Sequence, residues 1–196
     1  DVKSVEYFIK EKLEGLRLHS IKEWVHFGLT SQDINNTSFP LMIKDGYEQI
    51  LRPMIIETIE QIKTTADSLK HIPMLARTHG QPASPTVMGK EIMVFVERLN
   101  NQMRLLDQIP WQGKFGGAVG NMNAHYIAYP EHEWHDWAKG FLDSIGLERQ
   151  TTTTQIEHYD MLAAHFQGLT RINTILTDLC RDMWTYISYE YFKQKL

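Results

Sequence analysis

The sequence predicts an all-α fold, a bundle of long helices with polar loops at its ends, on three observations. Apolar residues recur at helical spacing through three long segments, Tyr47–Leu69, Met88–Leu106 and Phe166–Tyr191, the mark of helices that each bury a face. The stretches between them are polar and broken by Gly and Pro. No strand-like alternation, hairpin signal or internal repeat competes with that pattern.

The elements follow in order. Val2, Val5, Phe8 (or Ile9) and Leu13 have helical spacing, and a second short helix is expected over Ile21–Phe27. That apolar segment ends at Gly28, and Thr30-Ser31-Gln32-Asp33 opens a new helix with Thr30 and Asp33 spaced as in a capping box. Residues at such a helix start either cap it and do nothing more or present hydroxyls and unpaired N–H groups to a carboxylate. From Ile43 onward, Tyr47, Ile50, Met54, Ile55, Ile59, Ile62, Ala66 and Leu69 share a face through about seven turns, with a bend expected at Pro53.

Arg77-Thr78-His79-Gly80-Gln81-Pro82-Ala83-Ser84-Pro85 reads as a compact polar loop between two long helices. Gly80, Pro82 and Pro85 stop a helix there, and Ser84-Pro85 has the form of an N-cap and first helical residue. His79 is the only side chain in the loop whose ordinary pKa, ~6.5, lets it both give and take a proton near neutrality. In isolation such a histidine more often does no more than bond the backbone around it.

After this loop, Met88, Ile92, Phe95, Val96, Leu99, Met103 and Leu106 form a core stripe. Residues 111–130 change character, with Gly113, Gly116, Gly117 and Gly120 around Asn121 and Asn123. No Gly-Lys-Ser/Thr ending and no preceding strand accompany them, which excludes both nucleotide-loop motifs. Pro130–Ile145 is expected to be an amphipathic helix carrying His132, Glu133 and His135; the spacing is not His-Glu-x-x-His and there is no cysteine partner, so a solvated face and no metal is the expectation. Thr151–Asp160 is polar and β-branched, an extended link, before a stripe from Leu162 that keeps one face for some thirty residues, roughly 45 Å. Met93, Val94, Trp184 and Tyr189 spread apolar surface beyond one face, which implies helices covered on more than one side and hence a homo-oligomer.

Composition narrows the function. At 196 residues the chain can bury a sizeable core, and 42% hydrophobic with 22% charged is the usage of an ordinary soluble protein. A net charge of -4 with scattered Lys and Arg makes nucleic acid an unsuitable partner. Cys180 is the sole cysteine, which excludes an intrachain disulfide and suits a reducing, cytoplasmic setting. The apolar runs are far short of the ~18 residues of a membrane span. The chain lacks an initiating methionine and stops inside a helical pattern, and is expected to be an excerpt of a longer protein.

Four separated segments carry a resemblance: His26-Phe27-Gly28-Leu29-Thr30-Ser31-Gln32-Asp33-Ile34-Asn35-Asn36, the Arg77–Pro85 loop, Gly116 to His125, and Thr153-Thr154-Gln155-Ile156-Glu157. In this order they resemble the adenylosuccinate lyase family, of the superfamily that also holds fumarase, aspartase and argininosuccinate lyase. The resemblance implies the long-helix bundle of the fumarase/aspartase type, a homotetramer with active sites shared between subunits, and no metal or organic cofactor. On this reading residues 1–196 are a single central helical-bundle domain, without the family's N-terminal segment, catalytic serine loop and C-terminal domain.

The reaction it implies is β-elimination of fumarate from adenylosuccinate, giving AMP, and from the succinyl-carboxamide ribotide of purine biosynthesis. The motif match makes His79 the general acid. It makes Thr30, Ser31, Gln155 and Thr78 substrate-binding residues, with His26 and Asn121 placed between substrate contact and structural support. Asp1 falls where the family has the end of an Asn-His-Asp contact segment. The serine that acts as general base lies in a loop absent from this sequence, so the chain alone is expected to be inactive. Two other readings remain open: another fumarate-releasing lyase such as argininosuccinate lyase, or a non-catalytic helical scaffold.

Overall fold

The structure, a computed structural model, describes residues 2–193 and 195. In chain order the elements are α1 (Val2–Gly15), a 3-10 stretch (His19–His26), α2 (Ser31–Gly46), a π turn (Tyr47–Leu51), α3 (Arg52–Ser68), β1 (Pro73–Thr78), β2 (Gln81–Val87), α4 (Met88–Leu106), β3 (Gln112–Gly113), α5 (Asn123–Ala128), α6 (Trp134–Ser144), β4 (Glu148–Arg149) and α7 (Asp160–Ser188). The chain is mainly helical, and it divides into a first unit, Asp1–Gly46 with Pro110–Leu162, and a second, Tyr47–Ile109 with Ala163–Leu196.

In the second unit the apolar stripe of α4 is buried as its spacing requires, with Met88, Ile92, Phe95, Val96, Leu99, Met103 and Leu106 inside. Ile59 and Ala66 of α3 and Ile172 and Ile175 of α7 are buried as well. The helix expected to run through Pro53 is instead interrupted before it. Proline has no N–H, and its ring crowds the carbonyl four residues back. A π turn over Tyr47–Leu51 widens the backbone at that point, and Pro53 falls in the first turn of α3.

The expectation of a compact polar loop over Arg77–Pro85, in a chain without a hairpin, fails at residues 73–87. There β1 and β2 form an antiparallel hairpin, with Thr78 opposite Gln81 and Pro73 opposite Val87. Ser84 and Pro85 are strand residues, and α4 starts at Met88. Apart from Met74 the hairpin is open to solvent on both faces up to Pro85, save for half-buried Ala76. It therefore has no buried face whose residues would alternate with exposed ones, and its prolines sit in a ladder of only two strands, where every strand is an edge.

In the first unit α6 starts at Trp134, four residues later than Pro130, which leaves His132 and Glu133 outside it. Its Trp134, Ala138 and Leu142 pack with Phe115, Met122 and Leu147. The segment expected as a second short helix is the 3-10 stretch ending at His26. β3 and β4 make a two-residue parallel contact, Gln112 with Glu148 and Gly113 with Arg149.

Candidate functional site

The first unit builds its polar centre around Asp33, which is 1% exposed. One carboxylate oxygen accepts the backbone N–H of Thr30 at 2.9 Å, one of the two bonds of the capping box expected for the start of α2, while the Asp33 N–H goes to the Thr30 carbonyl at 3.0 Å. The other carboxylate oxygen accepts the N–H groups of Gly116 at 2.9 Å and Gly117 at 3.2 Å, and Lys114 Nζ lies 2.7 Å from it. The Lys114 ammonium also donates to the Gly117 carbonyl at 2.5 Å. Both charges are fully buried, so each is tolerated only because the other and the loop amides compensate it.

A second junction sits one turn along α2. Pro40 cannot donate to the carbonyl of Asn36, and the N–H of Lys114 takes that carbonyl at 3.3 Å. The Asn36 side chain accepts the N–H of Glu157 at 2.9 Å and donates to the Tyr159 hydroxyl. A third junction joins the glycine loop to the segment before α7: Gly120 has φ of +87°, and a Cβ there would stand 2.0 Å from the Thr153 carbonyl oxygen. Only glycine permits that approach.

The start of α2, the loop Gly116–Asn121 and the segment Thr153–Glu157 are thus tied together, and they carry four of the expected site residues. Thr30 is half-buried, and Ser31, Asn121 and Gln155 are exposed. Glu157, two residues beyond Gln155, is 5% exposed, receives Gln150 Nε2 at 2.5 Å, and has its pKa raised by burial. His125 is buried edge-on to Phe27, with ring centroids 5.5 Å apart, and near Trp134. Burial lowers its pKa, a shift that the charge of Asp33 opposes.

His26 ends the 3-10 stretch half-buried, with Nδ1 2.5 Å from Glu6 Oε2. Asp1 lies outside the described residues.

His79 and Thr78 belong to the second unit. His79 (φ 50°) and Gly80 (φ 75°) are the two residues between β1 and β2, both left-handed. Such a pair suits the right-handed twist of the strands it joins. Arg77 donates to the Gly80 carbonyl at 3.3 Å, and its guanidinium stacks on Tyr189 at 4.7 Å from the ring centroid. The imidazole is exposed at the tip of this clamped turn. Among the described residues, no group of three or more His, Cys, Asp or Glu side chains is placed to hold a metal ion.

Glu6, Asn36 and Lys114 were missed as partners of the site. The signal for Glu6 was a carboxylate within the helical face of Val2, Val5 and Ile9. For Lys114 it was a lysine set directly among glycines.

A family profile for lyases matches residues 1–196. An adenylosuccinate lyase of Dictyostelium discoideum is 54% identical over 202 residues, covering 100% of this chain and 43% of the relative. An adenylosuccinate lyase of Escherichia coli (strain K12) is 46% identical over 196 residues, with the same coverage of 100% and 43%. The chain therefore spans less than half the length of these curated relatives. Among solved structures, β-carboxy-cis,cis-muconate cycloisomerase of Acinetobacter calcoaceticus sp. ADP1 superposes with a TM-score of 0.75 at 20% identity, over 95% of this chain and 41% of that one. A fumarate lyase of Mesorhizobium sp. BNC1 gives 0.70 at 24% identity, over 89% and 41%. At those identities the likeness is one of fold.

Proposed function

The chain belongs to the lyase family, and on that footing we propose that it is the central helical portion of an adenylosuccinate lyase, which releases fumarate from adenylosuccinate and from the succinyl-carboxamide ribotide. The observation that carries this reading is the tying together of the α2 start, the glycine loop and the Thr153–Glu157 segment through Asp33, Gly120 and Asn36. The identity to named adenylosuccinate lyases along the whole chain supports it.

In the proposed reaction a base takes a proton from the carbon beside one carboxylate of the succinyl group. The electron pair forms the fumarate double bond as the C–N bond breaks, and the departing nitrogen gains a proton. His79 supplies that proton; its exposure at the tip of a clamped turn suits an acid that must reach a bound substrate. The base is a serine outside this chain. Thr30, Ser31 and Gln155 hold the substrate's carboxylates and polar groups, with the α2 start favouring negative charge. Thr78, Asn121 and His26 complete the contacts, and Asp1 adds one more. Neither metal nor organic cofactor takes part in this scheme.

The complete protein is proposed to be a homotetramer in the cytoplasm. Large apolar side chains that remain open on its long helices, Met54 at 58%, Phe166 at 51% and Trp184 at 72% exposure, favour further subunits against them. Among the described residues no helix is long and apolar enough to cross a membrane.

Incubating the complete protein with adenylosuccinate, and separately with argininosuccinate, while following fumarate tests the reading. Fumarate from adenylosuccinate alone is the expected result. Fumarate from argininosuccinate alone would move the protein to another branch, and none from either would leave a helical scaffold.

A further inference from the structure

One face of α1 carries a charge among hydrophobic side chains. Glu6 joins Val2, Val5 and Ile9 in lining a cavity of about 420 Å³, to which His26 and Asn35 add the other polar groups. Glu6 is 5% exposed, and its carboxylate meets Lys3 at 2.7 Å, Lys10 at 3.0 Å and His26 Nδ1 at 2.5 Å. Hydrogen bonds from Lys3, His26 and Lys10, in that order, hold its pKa down to about 2. At neutral pH it is a carboxylate, which can only accept. The proton in the 2.5 Å contact therefore sits on His26 Nδ1.

The other ring nitrogen, Nε2, is buried and has no hydrogen-bond partner. An ordinary surface ion pair would leave that nitrogen in water. A buried polar atom lacking a partner is uncommon in native proteins and marks a place where a ligand, a water or a chemical role supplies one.

We propose that Glu6 is a positioning residue: by taking the Nδ1 proton it fixes the tautomer and the orientation of the His26 ring, so that Nε2 is the atom His26 offers to bound substrate. This rests on the reading of His26 as a substrate contact and adds which atom makes that contact and which residue sets it.

The test uses the complete protein labelled with 15N-histidine, in which long-range 1H–15N spectra report the ring tautomer directly and His26→Gln assigns the signal. The neutral His26 ring is expected as the Nδ1–H form. In Glu6→Gln, whose amide donates as well as accepts, the Nε2–H form is expected to grow. On adenylosuccinate, Glu6→Gln should lower kcat/KM roughly tenfold through misplacement of the ring, and Glu6→Asp should recover part of the loss. An Nε2–H ring in the unaltered protein overturns the proposal whether or not the variant folds, and so does a Glu6→Gln tautomer unchanged from the parent. Failure of the unaltered protein to release fumarate would count against the functional reading and leave the tautomer result to stand alone.

Discussion

The two units bury different chemistry. In the first, the buried polar residues include Glu6, Asp33, Asn36, Thr37, Lys114, His125, Arg149, Gln150 and Glu157; in the second, among the described residues, His165 alone joins a buried set of Ile, Leu, Val, Met, Phe and Ala with Tyr47. Charged pairs of the second unit, such as Arg52 with Asp107 at 2.8 Å and Arg98 with Asp178 at 2.8 Å, sit at the surface. The second unit is thus held chiefly by non-directional apolar burial. The first is also held by directional bonds, each satisfied in one arrangement only, which fixes how its short segments meet.

Variants can break or sharpen that contrast. The largest effect is expected at the second unit's contribution to chemistry: in the complete protein, His79→Gln should lower fumarate release about a thousandfold, with the melting temperature nearly unchanged, as steady-state assay and calorimetry would show. Next is the buried pair of the first unit. Lys114→Met leaves the Asp33 carboxylate buried without its cation and should cost about 3–5 kcal/mol in urea unfolding.

In the second unit Leu99→Ala should cost about 2–4 kcal/mol by the same measurement, a loss that refilling the volume with Met would largely restore. No apolar replacement should restore the Lys114 variant while Asp33 remains. If it did, the contrast between the units would be wrong.

A smaller effect concerns acid. Hydrogen bonds from Lys3, His26 and Lys10 hold the Glu6 carboxyl down to about 2 from its ordinary 4.5, so its contribution is present above the unfolded pKa and is lost as pH falls through 4.5 toward 2. Glu6→Gln should therefore lower stability at neutral pH and flatten its pH dependence in that window, as thermal unfolding across pH would reveal. The smallest effect is Arg52→Ala, which removes a surface pair with Asp107 and should cost less than about 1 kcal/mol, a loss that added salt should reduce.

The same contrast explains what the sequence revealed. The α4 stripe was legible residue by residue, because burial at helical spacing leaves its period in the chain. The α3 stripe was legible only in part: Ile59 and Ala66 are buried, but Ile50 and Met54 of the same list are 63% and 58% exposed. Ile50 lies in the π turn, which shifts the phase of the helix before Pro53, and spacing alone carries no notice of that. The hairpin was missed because strands exposed on both faces leave no alternation to read.

In the first unit the capping box at Thr30 and Asp33 was visible as spacing, since its partners are neighbours in the chain. The role of the same carboxylate in holding Gly116 and Gly117, more than eighty residues away, was not. Long-range polar partners leave no period, and only the motif resemblance pointed to those segments. The split of Thr30 and Gln155 from His79 between two units was equally invisible to spacing.

The two-residue link between β1 and β2 also limits what the chain can tolerate. Successive strand residues face opposite sides, so one added amino acid near the tip would turn the following strand over or force a bulge that swings the imidazole elsewhere. Insertions and deletions at this spot should be purged even where substitutions on either side are accepted, and length, more than residue identity, is the property that a library built across the tip would find under the strictest selection.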